Sequence, residues 1–173
     1  MEKKTDNLNI KEDEKKLKKE LEIISDLLTN ICEESSKDRD TNGLFMKFFL
    51  SKKIPSISIQ NFLERLTKYS KMENNTLILI LIYIDRFCDI NKVRLNYFNI
   101  HKLIIASMLI AIKYNEDEYF NNSFYAKIGG VKKSEIDVLE YQFLILIDFK
   151  LYVSEELFEK YSDYIQNTNL DDD

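Results

Sequence analysis

The stretch NIHKLIIASMLIAIKYNEDE, residues 99–118, decides how the rest of the chain is read. Between Leu103 and Ile112 only Ser107 is polar. A helix that is apolar on nearly every side must lie inside the protein. The run is too short for a membrane span, which needs about 20 apolar residues. It therefore reads as the central helix of an all-α domain. Asn99 stands where its side-chain oxygen can accept an orphan backbone N–H at the helix start. At the far end Lys113 and Tyr114 emerge, ahead of the acidic run Glu116, Asp117 and Glu118. A buried helix that ends on an isolated lysine is the first place to look for function.

The totals agree with that reading. A chain of 173 residues fits one domain with a real core. One proline and three glycines are few breakers, which favours long helices over strands and turns. The net charge of −5 argues against nucleic acid as a partner, because phosphate contacts need a basic face. Cys32, Cys88 and His101 stand apart from one another, so no metal site is expected. Cys88 sits in an apolar run and reads as a reduced core residue, which points to the cell interior. No signal core opens the chain and no run is long enough for a membrane.

Working outward, Leu17, Leu21, Ile24, Leu28 and Ile31 make a narrow stripe down an N-terminal helix, with the charged residues before it frayed. The stripe lasts about two heptads, short for a coiled coil, so the helix is expected to fold back on its own domain. A polar loop over residues 33–42 leads to LFMKFFL, residues 44–50, read as a short cover over the core rather than an exposed partner surface. Ser56 or Ser58 caps a helix whose stripe is Ile59, Phe62, Leu63, Leu66 and Tyr69. LILILIYI, residues 77–84, fits a strand or a helix by periodicity. Asp85 and Arg86 continue it without a break and no turn-bounded strand is there to pair with it, so a helix is expected. Residues 124–128 form a short helix ended by Gly129 and Gly130 in a left-handed cap. Ser134 caps the next, with the stripe Ile136, Leu139, Phe143, Leu146 and Ile147 and with Glu140 at its edge. Ser154 opens a final helix through Ile165, followed by an acidic tail that frays. The total is about seven helices, five of them compact ones between residues 56 and 149.

Catalysis finds little support. Ser, Cys and His never meet in a nucleophile setting, and Glu116, Asp117 and Glu118 point in different directions on a helix. No phosphate loop or kinase motif is present. No cofactor is called for. Three charges, Asp85, Lys113 and Glu140, lie in apolar surroundings and need partners, since leaving a buried charge unpaired costs about 3–5 kcal/mol. Snorkelling of Lys113 and a lysine salt bridge to Glu140 are the plain accounts of two of them.

The words YIDRF at residue 83, IASMLIAIKYNED at 105, FYAKIGGV at 124 and LEYQFLILIDFKLYVS at 139 together resemble a cyclin box. SISIQNFLERLTKYS and KYNEDEYFNN narrow the resemblance to the P/U-type cyclins, the group that contains the phosphate-response cyclin. The resemblance implies a five-helix cyclin box, a helix packed before it, and no catalytic activity. The implied role is to bind and activate a cyclin-dependent kinase. By resemblance, Lys113 and Glu140 hold kinase backbone beside the kinase's regulatory helix. Ile110, Tyr114, Leu144 and Phe149 line the apolar groove between the third and fifth box helices, and Asp85 supports the box internally. The expected geometry is a trough with the lysine on one bank and the glutamate on the other.

The chain departs from cell-cycle cyclins where many of those carry an arginine and a tryptophan on the first box helix. Ser56 and Phe62 stand there, so docking of basic–leucine motifs is not expected, and Asp85 is left to Arg65 or a backbone cap. No second box is expected after Phe149, which suits the P/U type. Residues 1–53 are read as N-terminal helix and linker, 54–152 as the box, and 153–173 as a short helix and acidic tail. The location implied is nucleus and/or cytoplasm. Two rival readings are a cyclin-fold module of the transcription machinery, which would need a basic face for DNA, and a helical adaptor that works through residues 44–50.

Overall fold

The computed structural model describes residues 2–35 and 46–168, with side chains from Glu12 onward. These residues form α1 (Glu2–Glu34), a 3-10 turn (Met46–Phe48), α2 (Ile59–Ser70), α3 (Thr76–Asn91), α4 (Ile100–Asn115), α5 (Asn122–Gly129), α6 (Lys133–Leu146) and α7 (Glu155–Asn167). No strand occurs among them, so 77–84 is helix, as the unbroken run into Asp85 suggests.

α4 is the axis of the fold. Every residue from Leu103 to Ile112 is buried. Its one polar side chain is satisfied locally, because the Ser107 hydroxyl donates to the carbonyl of Ile104 at 3.1 Å and also to that of Leu103. α3 and α6 pack on α4, α5 lies between α2 and α6, and α1 and α7 close the outside against α2 and α3. Each leucine or isoleucine so buried contributes about 1.5–3 kcal/mol.

α1 folds back on its own domain as expected. Leu21, Ile24 and Leu28 are buried, and Leu17 and Ile31 pack at the margin. Its start differs from the fraying predicted, since the helix runs from Glu2. The described part of the 44–50 segment, from Met46 onward, acts as a cover. Phe49 is fully buried, edge-on to Phe87 at 5.1 Å between ring centroids; Leu44 and Phe45 lie outside the described residues, as do most of the polar loop before them and the acidic tail.

Two predicted caps are corrected. Asn99 precedes α4 but makes no side-chain cap bond. Its Oδ1 accepts from the Asn96 N–H at 2.9 Å and its Nδ2 donates to the Arg94 carbonyl at 2.9 Å, so it closes the turn ahead of the helix. α6 begins at Lys133 with Lys132 in the cap position, and Ser134 is inside the helix. The left-handed Gly130, at φ 68°, turns the chain early enough for the Lys132 carbonyl to accept the first helical bonds. Ser58 and Ser154 do cap, accepting from Asn61 and Leu157. The left-handed cap expected from the Gly129–Gly130 pair is present at Gly130. No described helix is long and apolar enough to cross a membrane.

Candidate functional site

Lys113 leaves α4 in its last turn, and Glu140 stands midway along α6. Ile136, Leu139 and Phe143 turn α6 inward on α4, which leaves Glu140 on the shoulder of the contact. The two side chains meet there. Lys113 Nζ donates to Glu140 Oε1 at 2.7 Å, with the side chains 28% and 19% exposed. This corrects the expected trough with its charges on opposite banks. Both groups have lost part of their water, and at hydrogen-bond distance each offers the other the partner that burial demands. The pair still faces solvent, so it does not seal the interior.

Glu140 is held on its other side as well. Asn122, the first residue of α5, donates from Nδ2 to Glu140 Oε2 at 2.9 Å and to Asp137 Oδ1 at 2.7 Å. Asp137 in turn accepts from Lys133 at 2.6 Å. The Lys133 bond, then the Asn122 bond, holds the Asp137 carboxyl below its ordinary range.

The apolar residues expected beside the pair divide. Tyr114 and Phe149 are open to solvent, 52% and 63% exposed, and Leu144 is half-buried. Ile110 is only 3% exposed and belongs to the core. α6 adds Val138, Tyr141 and Ile145, an exposed row at one helical face.

Phe149 is presented by a chain turn with two successive left-handed residues, Asp148 at φ 55° and Phe149 at φ 52°. Side chains of larger residues seldom adopt that conformation, so the surroundings must enforce it. α3 supplies the restraint. Tyr83 donates its hydroxyl to the Leu151 carbonyl at 2.8 Å. Arg86 donates to the carbonyls of Lys150 and of Tyr152, the latter at 3.2 Å. Asn91 donates to the Leu146 carbonyl at 3.0 Å. Sequence reasoning missed these clamps. The signal was present in YIDRF, where Tyr83 and Arg86 stand three apart on one helix face.

The reading of Asp85 and Arg65 as partners is corrected. Asp85 is exposed and accepts from the Tyr161 hydroxyl of α7, at the rim of a cleft of about 290 Å³ between α1, α3 and α7. It ties the last helix on rather than bracing the box from within. Arg65 lies elsewhere, its guanidinium 5.2 Å from the Phe62 ring centre and beside Gly130. α2 and α3 present these side chains to different sides of the fold. Among the described residues no three His, Cys, Asp or Glu side chains group as metal ligands.

Known proteins resemble the chain over most of its length. The family model described as Cyclin matches residues 9–151. Cyclin-U2-1 of Arabidopsis thaliana is 34% identical over 149 residues, which span 84% of this chain and 67% of that protein. Cyclin-U4-1 of the same plant is 33% identical over 153 residues, 87% of this chain and 76% of its own length. The PHO85 cyclin-like protein psl1 of Schizosaccharomyces pombe is 40% identical over 119 residues, 68% of this chain and 49% of that one.

Proposed function

The chain belongs to the cyclin family, and on that premise we propose that it is the regulatory subunit of a cyclin-dependent protein kinase, docking the kinase's regulatory helix on the surface built by Lys113, Glu140, Tyr114, Leu144 and Phe149. The observation that carries this reading is the Lys113–Glu140 pair, left open to solvent, together with an exposed Phe149 on a turn whose following residues are bonded to α3. An exposed apolar side chain on a restrained turn costs little ordering entropy when a partner covers it. The ammonium is suited to backbone carbonyls and the carboxylate to backbone N–H groups, so a helix end laid across the pair can exchange one ion pair for several charge-assisted bonds. Residues 54–152 form the box in this reading, and the flanks 1–53 and 153–173 support it.

A kinase needs its strand lysine paired with its regulatory-helix glutamate before ATP is placed for transfer. A subunit that binds the helix-in arrangement shifts the kinase toward it by the difference in its affinity for the two states. Catalysis then resides in the kinase, and this chain contributes binding energy. The likeness to a relative named a PHO85 cyclin-like protein supports a kinase partner of that type.

The test exchanges the two charges. Lys113→Glu with Glu140→Lys keeps an ion pair within the protein while inverting what a partner meets. Circular dichroism should show an unchanged helical fold, and kinase capture and activation should fall at least about tenfold. Wild-type capture and activation by the folded double variant would remove the assignment.

A further inference from the structure

We propose that Asn122 is a positioning residue for Glu140, holding its carboxylate in place when a partner draws Lys113 away. The proposal rests on the groove reading above, and the geometry beneath it is independent of that reading. Lys113 and Asn122 occupy opposite oxygens of one carboxylate, Nζ on Oε1 at 2.7 Å and Nδ2 on Oε2 at 2.9 Å. A partner carbonyl that takes the lysine removes the first restraint. A glutamate held on one oxygen stays aimed, whereas a released one regains rotamer freedom that binding must take back.

The same amide solves a second problem. Asp137 and Glu140 are three apart on α6, a spacing at which like charges repel. Asn122 gives a hydrogen bond to each, at 2.7 and 2.9 Å. An amide –NH₂ carries two hydrogens, and both are spent here. The row Lys133, Asp137, Glu140, Lys113 thus places two anions between two cations, with one neutral donor bridging the anions. Without the donor, repulsion from Asp137 turns Glu140 away and leaves Lys113 as its remaining partner, so the carboxylate is no longer held where a partner meets it. The backbone of Asn122 is set in the first turn of α5, which Asn121 caps by accepting from the Phe124 N–H at 3.1 Å.

The experiment is a double-mutant cycle, read as the dissociation constant for the kinase that the wild-type chain activates. Asn122→Ala should weaken binding about fivefold, the size expected of side chains coupled in one network. In a Glu140→Gln background the same change should cost less than about twofold. Asn122→Asp is the second variant. An aspartate suits the first turn of a helix, so it should fold. It should weaken binding more than alanine does, and that excess should shrink in the Glu140→Gln background, where only Asp137 still meets the new charge. Equal losses in both backgrounds would overturn the proposal, since Asn122 would then act through the fold and not through Glu140. So would full affinity of both Asn122 variants while Glu140→Gln alone weakens binding, an outcome that leaves the groove reading standing. If Glu140→Gln and the charge exchange both left affinity intact, the groove reading itself would fall, and this proposal with it.

Discussion

The Tyr83 hydroxyl donates to the Leu151 carbonyl at 2.8 Å, so a ring buried at the heart of α3 dictates the course of a chain segment on the surface. Asn115 of α4 donates to the same hydroxyl at 3.3 Å, which ties the central helix into the arrangement. Tyr83→Phe keeps the ring and removes both bonds. It should destabilise the protein by about 1–2 kcal/mol, the cost of an unmade bond to a partly buried carbonyl. Urea denaturation measures it, and an unchanged midpoint would show that Leu151 finds equal company in water.

Phe149 should separate stability from function. Its backbone sits in the left-handed region at φ 52°, which costs a residue with a Cβ about 1–2 kcal/mol. Its ring is 63% exposed and contributes little to the core. Phe149→Gly is expected to melt at or slightly above the wild-type temperature while kinase affinity drops about tenfold or more. A variant that binds normally would take the ring out of the docking surface.

Gly129 of α5 lies against the side chain of Ile105 on α4. A Cβ there would lie 1.7 Å from Ile105 Cδ1 and 3.1 Å from Cγ1. Ile105 is 1% exposed, so its Cδ1 has to shift within packed surroundings or toward the cleft it lines with Gly129. Gly129→Ala should destabilise by about 1–3 kcal/mol, as overpacked cores do. Ile105→Val deletes the nearest methyl group and should recover part of the loss. Additive losses in the double variant would place the strain elsewhere.

His101 should make stability fall on mild acidification. Its Nε2 lies 3.0 Å from the Ile57 carbonyl, which calls for the proton on Nε2. Nδ1 is buried with no partner, so a second proton there would be stranded. Burial first, with Arg65 adding to it, pulls the imidazole below its ordinary value of 6.5, and the Ile57 contact opposes them. The unfolded chain therefore binds the proton more readily than the folded one. Stability is full above about pH 6.5 and declines as pH drops from there through the folded value, by at most about 1.4 kcal/mol per pH unit. His101→Gln, which keeps a donor for Ile57, should flatten urea midpoints between pH 7 and 5.5. The same slope in the variant would assign the effect to other groups.

Local patterning carried most of the architecture. The apolar run of α4, the stripe of α1 and the Gly129–Gly130 stop were legible because each is set by side chains within a few residues, at spacings the helix makes periodic. Lys113 and Glu140 were also legible, as charges out of place in apolar company. A lysine salt bridge to Glu140 was legible too, but not that the lysine is Lys113, nor the Asn122 amide behind it, nor the choice of Tyr161 over Arg65 as the partner of Asp85. Lys113 is 27 residues from Glu140, and Asp85 is 76 from Tyr161. Contacts at such separations depend on how helices cross and slide past one another, which the core packing of the whole fold decides, and no periodicity within a single helix records it.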